Sequence, residues 1–369
     1  MRRATLSFGL VLSTIGVWGC TDTPSVIQAD ALTAQCPTLQ AEVVVAAQKD
    51  GIPALTDPAL VPADDPSVDY LLPTDRVIGL ELGGEYLAFP HNVLWWHEIV
   101  HLNDFNLAVT YCPLTGSSMV FDRTAADGAE FGVSGLLFKN NLVMYDRTPD
   151  GVVESFWPQM LASAECGHAD GRSLQMSPAL EIEWEDWLGL HPDTRVLSGD
   201  TGFLRDYTRY PYGNYEVEDN SRTLVPLTSR DERRPPKERV LGIPFEEGGG
   251  IAFPFGALRC RGDLAAVHQI LGDGQEGSGT SELILVLWDS SANSAMAYLP
   301  AAGGQDLTFE VRDGAFVDLE TESRWNIEGK ALSGPLAGAR LPMIPEAYVS
   351  FWFAFSGITS NPLLWLPDR

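Results

Sequence analysis

The feature that most constrains this chain is a set of short strings that occur twice, in the same order. RVIG at 76–79 followed by AFP at 88–90 returns as RVLG at 239–242 followed by AFP at 252–254. TYCPLTGSSMVF at 110–121 is echoed by VLWDSSANSAMAY at 286–298, and Trp157 and Trp325 each follow a serine two positions earlier. Preserved order over so long a period indicates two tandem, diverged copies of one module.

Each copy has the composition of an antiparallel β module with a few short helices. Runs rich in β-branched and aromatic residues at 106–111, 118–122 and 141–146 predict strands. Pro90 is placed as the first residue of a helix carrying NVLWWHEIVH, and a second helix containing Trp184 and Trp187 closes the copy at His191-Pro192. Hairpins mixed with interspersed short helices predict an α+β fold, mainly antiparallel, in two tandem copies.

The N-terminus has the pattern of a bacterial lipoprotein signal. Two arginines precede an apolar run at 6–17 that ends in VWGC, which resembles a lipobox. We therefore predict a signal peptide over residues 1–19 and lipidation of Cys20. Residues 20–65 form a tether and N-terminal segment, 66–230 the first module and 231–369 the second. The string SRDERRPPKER at 229–239 is expected to be an exposed linker between the modules.

Charge and cysteine content agree with export. The chain has 24 Lys and Arg against 50 Asp and Glu, a formal charge of −26, which excludes nucleic acid as a partner. We expect a protein in the cell envelope, periplasmic or at the outer membrane, held to the membrane through Cys20. That compartment permits disulfides, but the pairing among Cys36, Cys112, Cys166 and Cys260 is left open by the sequence.

Several strings resemble one bacterial family. WHEIV, VTYCPLTGSSMVFDR, FGVSGLL, NLVMYDR, HPDTRVLSGDTG, RDY and PKERVLG are similar to the family called Domain of Unknown Function 3179, from about Asp57 onward. The resemblance implies exported or lipid-anchored bacterial proteins with no assigned reaction. Many relatives have CPLC where this chain has Thr115, and commonly Asn where it has His101.

The string HEIVH has the form of a zinc-hydrolase signature. On a helix, His97 and His101 would share one face, and Glu98 could activate a zinc-bound water. No third ligand follows at a recognisable spacing. A structural, hydrogen-bonded His97 is the alternative.

Cys112 ends an apolar strand at a turn, where site residues accumulate. Together with His97, His101 and Met144 it would offer a sulfur and imidazole ligand set that suits copper, or zinc. Alternatively, the Cys112–His97 pair, with Glu98 nearby, could form a catalytic nucleophile or a thiol redox centre. A buried, inert cysteine is the third reading. His97 and Cys112 have no like residue in the second copy, and Met144 is matched with Asp318.

A third cluster lies between the copies and has no counterpart after the second. Asp200, Arg205, Asp206, Tyr207 and Tyr210 have the composition of a recognition loop. A long connection pinned by Arg–Asp pairing and tyrosine packing is the alternative.

Two functions therefore stay open at the level of sequence. One is a metal-binding or thiol redox lipoprotein centred on Cys112 and His97. The other is a non-catalytic binding or assembly lipoprotein with a cleft between the two modules, whose partner is a small molecule or a protein.

Overall fold

The computed structural model describes residues 36, 39, 42–227, 230–245, 248–271, 282–359 and 361–367. The predicted signal peptide and Cys20 lie outside the described residues. Within these ranges, every helix is too short or too polar to cross a bilayer.

The described part of the first half, up to residue 227, contains fourteen strands. They are β1 Val43–Val45, β2 Leu55–Thr56, β3 Leu60–Pro62, β4 Arg76–Leu82, β5 Glu85–Pro90, β6 Ile99–Leu102, β7 Leu107–Cys112, β8 Ser117–Asp122, β9 Phe131–Phe138, β10 Asn141–Asp146, β11 Phe156–Pro158, β12 Gln175–Met176, β13 Leu180–Glu183 and β14 Arg195–Leu197.

The second half contains thirteen more among its described residues. They are β15 Arg239–Pro244, β16 Gly250–Pro254, β17 Leu264–Leu271, β18 Glu282–Asp289, β19 Ser294–Tyr298, β20 Ala301–Ala302, β21 Gln305–Asp306, β22 Phe309–Arg312, β23 Ala315–Asp318, β24 Arg324–Trp325, β25 Ala331–Ser333, β26 Tyr348–Phe351 and β27 Leu363–Leu364.

Helices are few and short among the described residues. Those described over their whole length are α1 His91–His97, α2 Trp184–Leu190, α3 Phe255–Arg259 and α4 Trp352–Ile358. Single 3₁₀ turns occupy Pro66–Val68, Asn103–Phe105, Thr124–Ala126 and Gln159–Leu161. The fold is thus mostly β with short helices between strands, which confirms the α+β, mainly antiparallel character expected from the sequence.

Strands of the two halves follow corresponding orders within their sheets. One sheet runs β13-β4-β5-β14-β3 in the first half, and β26-β15-β16-β27 in the second. In both, the third and fourth strands pair in parallel while the first three pair antiparallel. The order β8-β7-β6 likewise corresponds to β19-β18-β17, and β9-β10-β11 to β22-β23-β24.

Individual contacts also match between the halves. The Trp157 Nε1–H donates to Asp146 at 3.0 Å, and the Trp325 Nε1–H donates to Asp318 at 2.9 Å. Asp146, rather than Met144, is therefore the residue that corresponds to Asp318. This corrects the sequence-based pairing of Met144, which compared strings without the strand register.

The core is shared by both halves. One buried cluster contains Trp187 of α2 and Trp288 of β18, and a second contains Cys112 of β7 and Trp352 of α4. The expected linker is also partly built into this core, because Lys237 is buried, with its ammonium group donating to the carbonyls of Tyr215 and Arg222. The exposed linker predicted at 229–239 is therefore wrong at its C-terminal end.

One disulfide joins Cys36 to Cys166. It ties the segment before β1 to the loop after β11. Cys112 and Cys260 are free thiols, the first buried and the second exposed.

Candidate functional site

Helix α1 ends in the middle of the HEIVH string. Glu98 adopts a left-handed backbone conformation with φ of 57°, and its N–H caps the helix by donating to the Leu94 carbonyl at 2.9 Å. The chain then continues directly into β6, so that His101 lies on a strand. The prediction that HEIVH forms one helical face was wrong, because the left-handed residue separates His97 from His101. The zinc-hydrolase geometry is absent from this string.

The His97 ring is held by two hydrogen bonds. Nδ1 donates to the Pro53 carbonyl at 2.8 Å, so Nε2 is the acceptor for the Tyr207 hydroxyl at 2.7 Å. Burial lowers the pKa of His97 to about 4, which keeps the ring neutral at physiological pH. Both nitrogens are therefore occupied. His97 fixes Tyr207 in place.

Both ring nitrogens of His101 are likewise engaged in hydrogen bonds. Its Nδ1 donates to the Leu55 carbonyl at 3.1 Å, and its Nε2 accepts the N–H of Phe131 at 2.8 Å. Burial lowers the pKa of His101 to about 4. His268 in the second half accepts the N–H of Phe309 through Nε2 at 3.1 Å, the same arrangement. Since no lone pair is left on His101, its geometry indicates a scaffold role.

Cys112 is buried rather than presented at a loop. Its Sγ contacts the Asn140 carbonyl at 4.0 Å, within an apolar cluster that also includes Met144. Burial raises the pKa of the Cys112 thiol to about 11, so that roughly one thiol in ten thousand is ionised at neutral pH. Cys112 and His97 share no hydrogen-bonding partner.

The positions of the possible metal-ligating side chains do not support a copper or zinc site at His97, His101, Cys112 and Met144. Among the described residues, one set of three His, Cys, Asp or Glu side chains is close enough to share an ion: Glu183, Glu185 and Asp186. These acidic groups lie where β13 runs into α2, and none of the predicted ligands belongs to the set.

Glu98 is the unusual group in this region. Its side chain is buried, and within the described parts of the chain it has neither a hydrogen-bonding partner nor a salt bridge. Burial raises the pKa of Glu98 to about 8, so the carboxyl carries its proton at neutral pH. Cys112 and Tyr212 are its electrostatic neighbours. A protonated carboxyl is both a donor and an acceptor, and among the described residues it has a partner for neither; its oxygens are absent from the fully buried unpaired atoms, so they keep some access to solvent.

Residues 200–215, which we call the tyrosine loop, cover this end of α1. The Tyr207 carbonyl accepts from the Asn92 side chain at 3.1 Å, and the Tyr210 ring meets Trp95 edge-on at 5.0 Å between centroids. The Tyr215 hydroxyl donates to the Leu114 carbonyl at 2.9 Å. The loop is therefore packed onto the first half by its tyrosines.

The charged residues of the tyrosine loop stay near its surface. Asp200 and Asp206 are exposed, and Asp206 accepts from the Thr208 hydroxyl at 2.6 Å. Arg205 is exposed as well and lies over the Trp96 ring at 5.6 Å. Tyrosine packing thus fixes the loop, while its charged groups face outward; their role in recognition stays a prediction.

Unpaired polar atoms concentrate between α1 and the tyrosine loop. Seven buried side-chain nitrogen and oxygen atoms of the described residues have no hydrogen-bonding partner, and four of them belong to this contact. They are Asn92 Oδ1, Trp95 Nε1, Trp96 Nε1 and the Tyr210 hydroxyl. Because an unpaired buried polar atom is costly, this contact is where the packing of the described residues satisfies polar groups least. Sequence reasoning singled out Tyr210 but missed the other three.

A buried ionic cluster links the two halves and was also missed. Glu181 of β13 accepts hydrogen bonds from the Ser118 hydroxyl and from Arg239, and Arg76 approaches it at 3.7 Å. Burial alone would raise the pKa of Glu181, but the two arginines and His91 lower it below its usual value. Arg76 and Arg239 begin the two copies of the repeated string, which was the signal available in the sequence.

Comparison with known proteins places the chain in a family. Neither curated proteins nor solved structures gave a match. The sequence matches the family described as "Protein of unknown function (DUF3179)" over residues 49–361, most of its length. The resemblance seen in the motif strings is thereby confirmed, and the chain belongs to the DUF3179 family.

Proposed function

We propose that this protein binds a small polar molecule between α1 and the tyrosine loop, without transforming it. The observation that carries the proposal is Glu98, a buried carboxyl with no partner among the described residues. The site we propose lies within the first half, and not in a cleft between the two modules as one sequence-based hypothesis had it.

Glu98 costs the folded state free energy in two ways. Its left-handed backbone strains a non-glycine residue by about 1 kcal/mol. With a pKa of about 8 against an ordinary 4.5, holding its proton at pH 7 costs about 3 kcal/mol more. Costs of this kind are typical of residues that contact a ligand rather than of residues that stabilise a fold.

The geometry favours binding over the copper, zinc or thiol hypotheses. His97 and His101 use both ring nitrogens in hydrogen bonds. The Cys112 thiol is buried and protonated, and reactive thiols are exposed with a lowered pKa.

For the whole chain, we propose an exported lipoprotein anchored through Cys20 and facing away from the cytoplasm. The Cys36–Cys166 disulfide supports an oxidising compartment. We also propose that residues 66–230 and 231–369 descend from one duplicated module. The matching strand orders and the matching Trp–Asp contacts support this history.

The binding proposal is tested by native mass spectrometry on protein purified from the cell envelope. We expect a stoichiometric small-molecule adduct that Glu98→Ala abolishes. Tyr348→Phe, which alters another unpaired buried hydroxyl outside this site, should retain the adduct. Stoichiometric copper or zinc that is lost in both Cys112→Ser and His97→Ala would instead restore the metal hypothesis.

The anchor has its own test. Cys20→Ala should shift the protein from the membrane fraction to the soluble fraction, or stall removal of the signal peptide. If this variant stays in the membrane fraction as the unaltered protein does, the lipoprotein proposal is contradicted and the binding proposal is unaffected.

A further inference from the structure

The segment that links the two halves concentrates positive charge in an acidic chain. Residues 222–237 carry five basic and two acidic side chains, whereas the whole chain has 24 Lys and Arg against 50 Asp and Glu. The five basic residues are Arg222, Arg230, Arg233, Arg234 and Lys237. A local reversal of charge persists in such a protein, because salt screens the rest of the surface beyond about 8 Å at physiological ionic strength.

Two of these five basic groups have carboxylate partners. Arg233 pairs with Asp231 at 2.6 Å, and Arg234 pairs with Glu238 at 2.5 Å. The other three have no carboxylate within ion-pair distance among the described residues.

Lys237 is the most unusual of these three, because it is 1% exposed. Its ammonium group donates to the carbonyls of Tyr215 and Arg222, and it lies over the Tyr215 ring at 3.3 Å. Burial, together with repulsion from Arg222 and Arg230, lowers the pKa of Lys237 to about 8. Since buried charges are normally paired with an opposite charge, this group of cations lacks a counter-ion within the described parts of the chain.

Arg230 connects these cations to a cavity. Arg230, Arg233 and Arg234 line one open cavity of about 360 Å³, a size in the range of small-molecule pockets. Arg230 donates to the Ser221 carbonyl at 3.0 Å through Nη2. The Nη1 groups of all three arginines have no hydrogen-bonding partner among the described residues.

We propose that this cavity binds a small soluble oxyanion, a phosphate or a carboxylate. The guanidinium fork matches the geometry of such oxygens, and the anion supplies the missing opposite charge beside Arg230 and Lys237. A cation is repelled here, and an uncharged molecule leaves the cations uncompensated. Asp231 and Glu232 also line the cavity, but Asp231 is already neutralised by Arg233. The exposed Glu232 therefore weakens the site without cancelling it.

Isothermal titration of the full chain, in a soluble Cys20→Ala form, tests this proposal with inorganic phosphate, pyrophosphate and citrate as probes. We expect at least one of them to bind, and Arg230→Ala to weaken it at least about tenfold, the loss of one charge-assisted hydrogen bond. Glu232→Gln should strengthen binding, because an opposing charge is removed. Arg324→Ala is the matched control and should leave the affinity unchanged, since Arg324 is also an exposed arginine whose side chain donates to a carbonyl.

Lysine NMR gives a second measurement on the same protein. The chain contains four lysines, so that ¹³C-lysine labelling, assigned with Lys237→Arg, isolates the signal of Lys237. A bound oxyanion stabilises the ammonium form and should raise the pKa of Lys237 from about 8 toward its ordinary 10.5.

Three results would overturn the proposal. One is the absence of both heat and any change at Lys237 with all three probes at millimolar concentration. Another is an anion whose affinity is the same in Arg230→Ala as in the unaltered chain, because that anion binds elsewhere. The third is binding to phosphatidylglycerol vesicles but to none of the soluble probes, which would make the ligand a lipid headgroup. None of these results bears on the separate site at Glu98.

Discussion

At the scale of single residues, Glu98 gives the sharpest expectation. The folded chain holds a proton on Glu98 up to a pKa of about 8, whereas the unfolded chain releases it near 4.5. The contribution of this group to the free energy of unfolding is therefore greatest below pH 4.5 and is lost as the pH rises to 8.

Glu98→Gln should remove that pH dependence and stabilise the protein by about 2–3 kcal/mol at pH 7. Urea unfolding at pH 5, 6, 7 and 8 measures both effects. Glu181→Gln is the matched control, because Glu181 is a buried carboxylate paired with Arg239, and its loss should cost about 3 kcal/mol. A destabilised Glu98→Gln would show that Glu98 supports the fold and would remove the main argument for a site.

Cys112 gives a second expectation at this scale. Because its thiol is buried with a pKa of about 11, we expect no reaction with a disulfide reagent in the folded protein at pH 7. The exposed Cys260 should react at once and serves as the internal control. In a soluble Cys20→Ala form, counting thiols before and after adding denaturant checks this. Rapid modification of Cys112 in the folded state would revive the nucleophile and redox hypotheses.

At the scale of elements, two glycines sit where a helix crosses a strand. A Cβ on Gly79 of β4 would lie 2.3 Å from the Trp187 ring of α2, and a Cβ on Gly242 of β15 would lie 2.3 Å from the Phe355 ring of α4. Both rings are buried, so neither can swing away.

Gly79→Ala and Gly242→Ala should each lower the free energy of unfolding by about 2–3 kcal/mol, the cost of overpacking. Gly189→Ala in α2 and Gly357→Ala in α4 are the controls, since a Cβ there meets nothing within 4 Å. We expect these two to gain about 0.5–1 kcal/mol from helix propensity. Chemical denaturation measures the free energy of unfolding of the four variants. If Gly79→Ala and Gly242→Ala leave it nearly unchanged, the overpacking explanation is contradicted.

The sequence predicted strands better than it predicted where helices stop. β10 has the predicted bounds of 141–146, and β7 and β8 lie within one residue of theirs, because short runs of β-branched and aromatic residues mark a strand locally. The end of α1 was missed, since no glycine or proline announces the left-handed Glu98. Three of the four unpaired atoms at the candidate site were missed as well, because they depend on the tyrosine loop folding back over α1.

At the scale of the whole molecule, the buried clusters predict one cooperative unit. Each of the two largest contains side chains from both halves, and the Glu181–Arg239 pair crosses between them. We expect tryptophan fluorescence and far-ultraviolet circular dichroism to report the same single unfolding transition.

Fragments 66–230 and 231–369, expressed separately, should lack a cooperative transition, because each exposes its share of the common core. The matched control is the two fragments mixed in equal amounts, which should regain structure if the core re-forms. Two transitions in the intact chain, or a fragment that unfolds cooperatively alone, would contradict a shared core.

The Cys36–Cys166 disulfide has a mechanical consequence. A protein held to a bilayer by its N-terminus feels any pull at the first point where the chain is fixed to the fold. The disulfide is such a point, since it precedes β1 in the chain and passes the load to the loop after β11. In the proposed Cys20-anchored form, the β1–β9 pairing, which joins only three residues of β1 and would otherwise separate one residue pair at a time, is thereby shielded from the force.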